Sequence, residues 1–314
     1  MAAKQVYTVG VIYFLLTAAC WSFVAVTVKT LTVAVDPYTI SFFRVFLASL
    51  VFIGLFTLQK GQWRRIPWLL PWILVGVLGR TGNYLLYNAG LVYTPSNAAT
   101  ILAPAQQIGV ILFAWWFLRE DIRSRWLGLA LSAIGLLFIW WNGQSWQSLF
   151  DSSYLWGYAL LILAGLATSL HFTSQKILSD RYSGLEILLP VFLLSTVITG
   201  PFAWGSGGFE ISYSGQTILL LLFLGLVLTG GSYYFLAEGY RRCDATTGVV
   251  IINMGVLLTL VWSHFLLHET VTPIMILGAV LALCGTLAVI NTDRRKLGQA
   301  VANPDRKAEY SVPR

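Results

Sequence analysis

Charged and amide side chains set inside long apolar runs are where this sequence could do chemistry. Lys29, Arg44 and Arg80 each interrupt a stretch that is otherwise almost wholly apolar. Arg80, Asn83 and Tyr87 stand at i, i+3 and i+7, which is one face of a helix, and Tyr84 and Asn88 form the neighbouring row. A matching turn much later in the chain holds Ser232, Tyr233 and Tyr234, and the expected wall of a pocket there is Tyr234. Gln106, Gln107 and Asn253 place amides near the middle of apolar runs, where such groups either bond between helices or line a wet cavity. Trp21 is the tryptophan best placed to close one side. The set is suited to holding a solute, and an anionic group above all. Guanidinium supplies charge and a fork of donors, while amides and phenols fix orientation. A structural reading stands beside each assignment. Arginine also bonds helix-end carbonyls or pairs with a loop carboxylate such as Asp36, and tyrosine favours membrane interfaces. For Arg44 and Arg80 both readings stay open.

Chemistry of other kinds is poorly supplied. His171 and Gln175, at i and i+4, could bond a solute or each other. His264 and His268 share that spacing, which suits a metal, but no third ligand is in register. Cys20, Cys243 and Cys284 show no ligand spacing and no disulfide framework, so neither a metal nor a cofactor is expected. An embedded enzyme would need paired acids, a histidine-rich centre or an activated nucleophile, and the apolar runs contain no such cluster. Glu238 precedes Arg241 and Arg242 by three and four residues, the spacing of a local ion pair.

Composition places these residues in a membrane. Of 314 residues 57% are hydrophobic and only 11% charged, with mean hydropathy +0.74. Soluble domains carry about a quarter charged residues. A net charge of +7 would point to nucleic acid if the basic residues formed a groove; here they lie between apolar runs, so no nucleic-acid partner is expected. Spans of roughly 20 residues cross the hydrocarbon, and they fall near 8–31, 37–58, 67–87, 94–117, 125–142, 154–176, 184–204, 214–237, 245–267 and 272–291. Turn residues join them, among them Asp36-Pro37, Thr94-Pro95 and Thr272-Pro273. No cleavable leader is expected, and the polar stretch 292–314 reads as a disordered tail.

With the N-terminus in the cytoplasm, every lysine and arginine except Lys29, Arg44 and Arg80 falls on the cytoplasmic side, so both termini are expected there. The chain also repeats itself. Gly82-Asn83-Tyr84 matches Gly231-Ser232-Tyr233, Gly90 matches Gly239, and the span-closing Glu120 matches Glu269, all at one offset; Gly128 and Gly135 match Gly278 and Gly285 one residue later. A period on the order of 150 residues is too long for a solenoid and marks two half-proteins, 1–143 and 154–291. Five spans per half is odd, so the second half must cross the membrane inverted, with the site between the halves. The expected fold class is an all-α integral membrane protein of ten transmembrane helices in two inverted five-helix repeats. The stripes Gly128/Ser132/Gly135 and Gly278/Ala282/Gly285 let helices approach closely, either spans five and ten of one chain or two copies in a homodimer.

Leu15 to Lys29, with Trp21, Ser22, Phe23 and Lys29, resembles the first span of EamA-type carriers of the drug/metabolite transporter superfamily. Asp36 to Leu50 resembles the second with its arginine, Arg44, and Tyr87 to Leu136 the later segment with Pro104 and Glu120. The resemblance covers about 8–291. It implies ten helices in two inverted repeats of a bacterial inner-membrane carrier that moves small metabolites, often exporting amino acids and related compounds, by alternating access. The second half departs from the pattern, with Asn253 in the place of Pro104 and Val191 in that of Arg44. A membrane-embedded enzyme and a channel without alternating access are the competing functions. Since the acidic residues all fall in loops, the tail or near span ends, Glu238, His171 and His264 are the expected proton acceptors, and uncoupled or exchange transport is expected over proton antiport.

Overall fold

The computed structural model describes residues 2–63, 66–94, 100–145, 147, 154–209, 213–267 and 270–302. Among the described residues the chain is helical and has no strand. The elements are α1 (Ala2–Ser22), α2 (Val24–Leu31), α3 (Pro37–Leu58), α4 (Pro71–Val92), α5 (Leu102–Phe113), α6 (Trp126–Trp141), α7 (Leu155–Leu178), α8 (Gly184–Gly205), α9 (Gly215–Leu222), α10 (Ser232–Tyr240), α11 (Ala245–Ile252), α12 (Met254–Leu267) and α13 (Pro273–Ala302). A π-helical stretch, Phe223–Gly231, joins α9 to α10, and another, Ala114–Leu118, extends α5. Seven stretches are long and apolar enough to cross a membrane; α4, which carries Arg80, and the shorter apolar Leu102–Leu118 and Trp126–Trp141 pack among them. Arg64, Arg65, Pro95, Ser148, His268 and Glu269 lie outside the described residues, and with His268 so does the His264/His268 pair.

Local chemistry sets where the helices begin. Asp36 caps α3, its Oδ1 accepting from the amides of Tyr38 at 2.9 Å and Thr39 at 3.0 Å, with Pro37 at the first helical position where no amide is needed. Asp36 is thereby committed to the cap, and Arg44 is paired with no carboxylate among the described residues. Ser183 and Glu186 form a reciprocal capping box at the start of α8. The first span breaks at Phe23 and the ninth at Asn253. In the Phe223–Gly231 stretch the Thr229 hydroxyl donates to the carbonyl of Leu224, five residues back, at 2.7 Å; such wide turns recur at functional sites.

Two features follow from the sequence pattern and one departs from it. The glycine stripes are used within the chain: α6 packs along α13, and a Cβ on Gly135 or Gly285 would meet backbone atoms of the opposite helix below van der Waals distance. Polar residues such as Arg80, Gln107 and Ser169 are buried, whereas Leu78, Trp156 and Val197 face outward, the arrangement of a protein solvated by lipid. Against the expectation of a disordered tail from 292, α13 continues through Ala302, because Asp293 is held inside the bundle; residues 303–314 lie outside the described residues.

Candidate functional site

A cavity of about 570 Å³ opens between α2, α3, α4, α5 and α12, a size that suits a small metabolite. Exposed Lys29 and Thr32 stand at its mouth, at the end of the bundle away from the N-terminus. Arg80 forms its floor. Its guanidinium carbon lies 4.5 Å from the ring centre of Tyr84 and 4.7 Å from that of Tyr233. Those tyrosines occupy matched positions of the sequence repeat. Arg80 Nη2 donates to Asn83 Oδ1 at 3.0 Å, and Asn83 Nδ2 donates to the Ala164 carbonyl at 3.1 Å, which fixes the arginine one turn away. Among the described residues Arg80 Nε and Nη1 have no hydrogen-bond partner. Arg44 stacks on the same Tyr84 ring at 4.4 Å and donates from Nε to Thr229 at 3.3 Å. Trp21 walls the floor, packed on Tyr233 and donating from Nε1 to Ser232 Oγ at 2.7 Å. Ring faces attract guanidinium by about 0.5–2 kcal/mol, which orients these cations but does not neutralise them. Among the described residues no carboxylate lies within 4.0 Å of Arg44 or Arg80.

The cavity thus gathers Arg80, Asn83, Tyr84, Tyr87, Arg44, Trp21 and Gln106 from the sequence-predicted set, and leaves four residues out of it. Gln107 is fully buried behind the wall, its Oε1 accepting from Asn253 at 2.9 Å and Ser132 at 3.1 Å while its Nε2 donates to the Leu129 carbonyl. Gln107 and Asn253 therefore tie α5, α6 and the break between α11 and α12 together. His171 is fully buried behind Tyr233, with Nδ1 3.2 Å from the Gly76 carbonyl, so it serves packing between α7 and α4 and does not bond Gln175. Tyr234 turns away toward Gln59, and Tyr233 takes the place expected for it.

Below the floor the bundle is shut. Phe14, Phe52, Phe172, Phe192 and Tyr240 are buried in a continuous aromatic layer, Phe172 stacked on Trp21 and Phe192 against Tyr233. Beyond that layer, at the end carrying the N-terminus, Arg125 gathers three carboxylates. Its Nε donates to Asp293 at 2.6 Å, its Nη2 to Asp244, and its Nη1 to the Thr246 hydroxyl at 2.9 Å, with Glu120 at 3.7 Å. Glu120 accepts from the amides of Ala245 at 2.7 Å and Thr246 at 3.1 Å, sitting on the positive N-terminus of α11. Asp293 accepts from Thr247 at 2.5 Å and from Tyr7 at 3.3 Å. Burial, and then the charge of Asp244, push the Glu120 carboxyl above its ordinary value. Burial works against the Arg125 charge, yet Asp244, Asp293 and Glu120 together hold its pKa above the usual arginine value. The acids fall in loops, the tail or near span ends as expected, but the side chains of Glu120 and Asp293 are only 8% and 4% exposed, so both join Glu238 among the acids that could carry a proton. Glu238 itself pairs with Arg242 at 2.6 Å and Arg241 at 3.3 Å, as its spacing predicts.

A bundle with its apolar side chains outward, a cationic cavity open at one end and an ionic seal at the other defines a polytopic membrane protein built around a solute site. The comparisons make the class specific. The chain belongs to the EamA-like transporter family, whose model matches twice, over 8–141 and 155–291. It is 26% identical over 299 residues to the uncharacterized inner membrane transporter YhbE of Escherichia coli K12, covering 90% of this chain and 92% of that one. It is 24% identical to the S-adenosylmethionine uptake transporter of Rickettsia prowazekii, covering 94% and 97%. A crystal structure superposes with TM-score 0.74 at 18% identity over 94% of this chain and 98% of the other, a likeness of fold. The protein is a membrane transporter of small molecules.

Proposed function

We propose that this protein is a carrier of the bacterial inner membrane that exports small metabolites bearing an anionic group, amino acids and related compounds among them, by alternating access. Ten helices form two inverted halves, both termini are cytoplasmic, and the cavity is the outward-facing half of the path. Arg80 carries the reading: a buried guanidinium with two unmet donors, held between repeat-related tyrosines and away from every described carboxylate, is a site for a substrate anion. Arg44 adds charge, Asn83 and Tyr84 set orientation, and Trp21, Tyr87 and Gln106 shape the walls. In the opposite half-cycle the Arg125 cluster and the aromatic layer part while the walls above Arg80 close. The names of the relatives support an inner-membrane transporter. Substrate exchange needs no proton acceptor beside the cavity, and among the described residues no carboxylate or histidine lines it. The test is counterflow: proteoliposomes preloaded with unlabelled substrate should transiently concentrate labelled substrate with no imposed pH difference. Simple equilibration would indicate a channel, and a strict requirement for a pH gradient would make the carrier proton-coupled.

A further inference from the structure

The charge balance of the cavity narrows the cargo further. This step rests on the reading of the cavity as the substrate site. Arg44 and Arg80 are 6% and 1% exposed and stack on one phenol ring, that of Tyr84. Each spends one donor on a neutral protein group, Arg44 on the Thr229 hydroxyl and Arg80 on the Asn83 amide. A single negative charge would pair with one guanidinium and leave the other buried without a counter-charge, the costly arrangement in a low-dielectric site.

The lining also lacks what an ammonium group needs. Among the described residues no aspartate or glutamate lines the cavity. The Tyr84 and Tyr233 rings already face guanidinium, and Trp21 is packed between Phe172 and Tyr233. An amino-acid ammonium entering here would meet hydroxyls and amides beside two arginines, and like charges at that depth repel strongly. We infer that the cargo presents two negative charges, one to Arg44 and one to Arg80, and carries no unpaired ammonium group: a dicarboxylate or a phosphate monoester. Of the related compounds allowed above, those whose amine is absent or blocked fit, and simple zwitterions do not.

The experiment uses the purified full-length protein, first for ligand-induced thermal shift and then for uptake into proteoliposomes. Succinate and glutarate test the carboxylate source, glycerol 3-phosphate and phosphoenolpyruvate the phosphate source, and L-leucine, L-glutamine and L-lysine stand for zwitterion and cation. At least one dianion should bind and be taken up, and the amino acids should do neither. Arg44→Gln and Arg80→Gln should each weaken the dianion about thirty-fold or more, while Arg80→Lys, which keeps the charge, should retain part of the affinity and show that the fold is intact. Failure of every dianion to bind overturns the inference. If an amino acid is then carried in an Arg80-dependent manner, the proposed function stands and only the charge assignment falls. If a dianion binds equally well to both glutamine variants, the cavity is not its site and both readings fall.

Discussion

Replacing Arg125 by glutamine should open the end of the bundle that the structure shows closed. Removing one partner of a buried ion pair costs about 3–5 kcal/mol, because the other charges stay buried. The structure argues for the lower end. Glu120 keeps the amides of Ala245 and Thr246, Asp293 keeps the hydroxyls of Tyr7 and Thr247, and the Asp244 side chain is 46% exposed to solvent. A loss of about 3 kcal/mol shifts the ratio of open to closed forms by about 150-fold. Cys243 reports the opening. It is 5% exposed beside the cluster, and burial, followed by the charge of Asp244, pushes its thiol pKa up, so it should react slowly while the seal holds. In a Cys20→Ser, Cys284→Ser background, N-ethylmaleimide should modify Cys243 on the order of 100-fold faster in Arg125→Gln. Arg125→Lys should fall between, since a lysine holds charge without the planar fork. A labelling rate within about twofold of the parent, in protein with unchanged helicity and size-exclusion profile, would refute the role assigned to the cluster.

Three other outcomes are expected. The Glu120 carboxyl titrates above its unfolded value of about 4.3, so the folded form binds the extra proton and stability falls as pH rises from that value through the raised one; the difference in melting temperature between the parent and Glu120→Gln should change in that sense, and a flat difference would sink the assignment. Gly135→Val should destabilise the detergent-solubilised protein by about 1–3 kcal/mol or more, because the added atoms meet the backbone of α13, whereas Gly54→Ala, with open space around it, should change little; equal melting temperatures would contradict the seam. Single cysteines at Gln62 and Ser148 in a cysteine-free background should be labelled by an impermeant reagent from the cytoplasmic and the external side respectively, and labelling of Gln62 in intact cells would overturn the orientation.

Much of this was legible in the residues because the bilayer imposes simple rules. Seven of the ten apolar runs are helices long and apolar enough to cross a membrane, the glycine stripes pack α6 on α13, and the polar row of α4 lines the cavity. What failed did so for reasons of geometry. Tyr233 faces the cavity in place of Tyr234, as its repeat partner Tyr84 does from α4, while Tyr234 points to Gln59. Gln107 and Asn253 look like pocket residues along the sequence, yet each satisfies the other across two helices. Asp293 lies just past the drop in hydropathy and reads as tail, although α13 continues and carries it to Arg125. Arg125 itself sits in a run of basic loop residues, and nothing in its spacing announces Asp244 and Asp293, the partners it draws from distant parts of the chain.

The central claim is that Arg80, held between Tyr84 and Tyr233, is the point at which the cargo is bound. Uptake by proteoliposomes of parent, Arg80→Lys and Arg80→Gln protein, reconstituted at equal density, measures it most directly. A lost charged hydrogen bond with its partner left buried costs about 2–5 kcal/mol, so Arg80→Gln should raise the half-saturating concentration by about thirty-fold or more, with Arg80→Lys in between. An Arg80→Gln protein with unchanged half-saturation and rate would contradict the account.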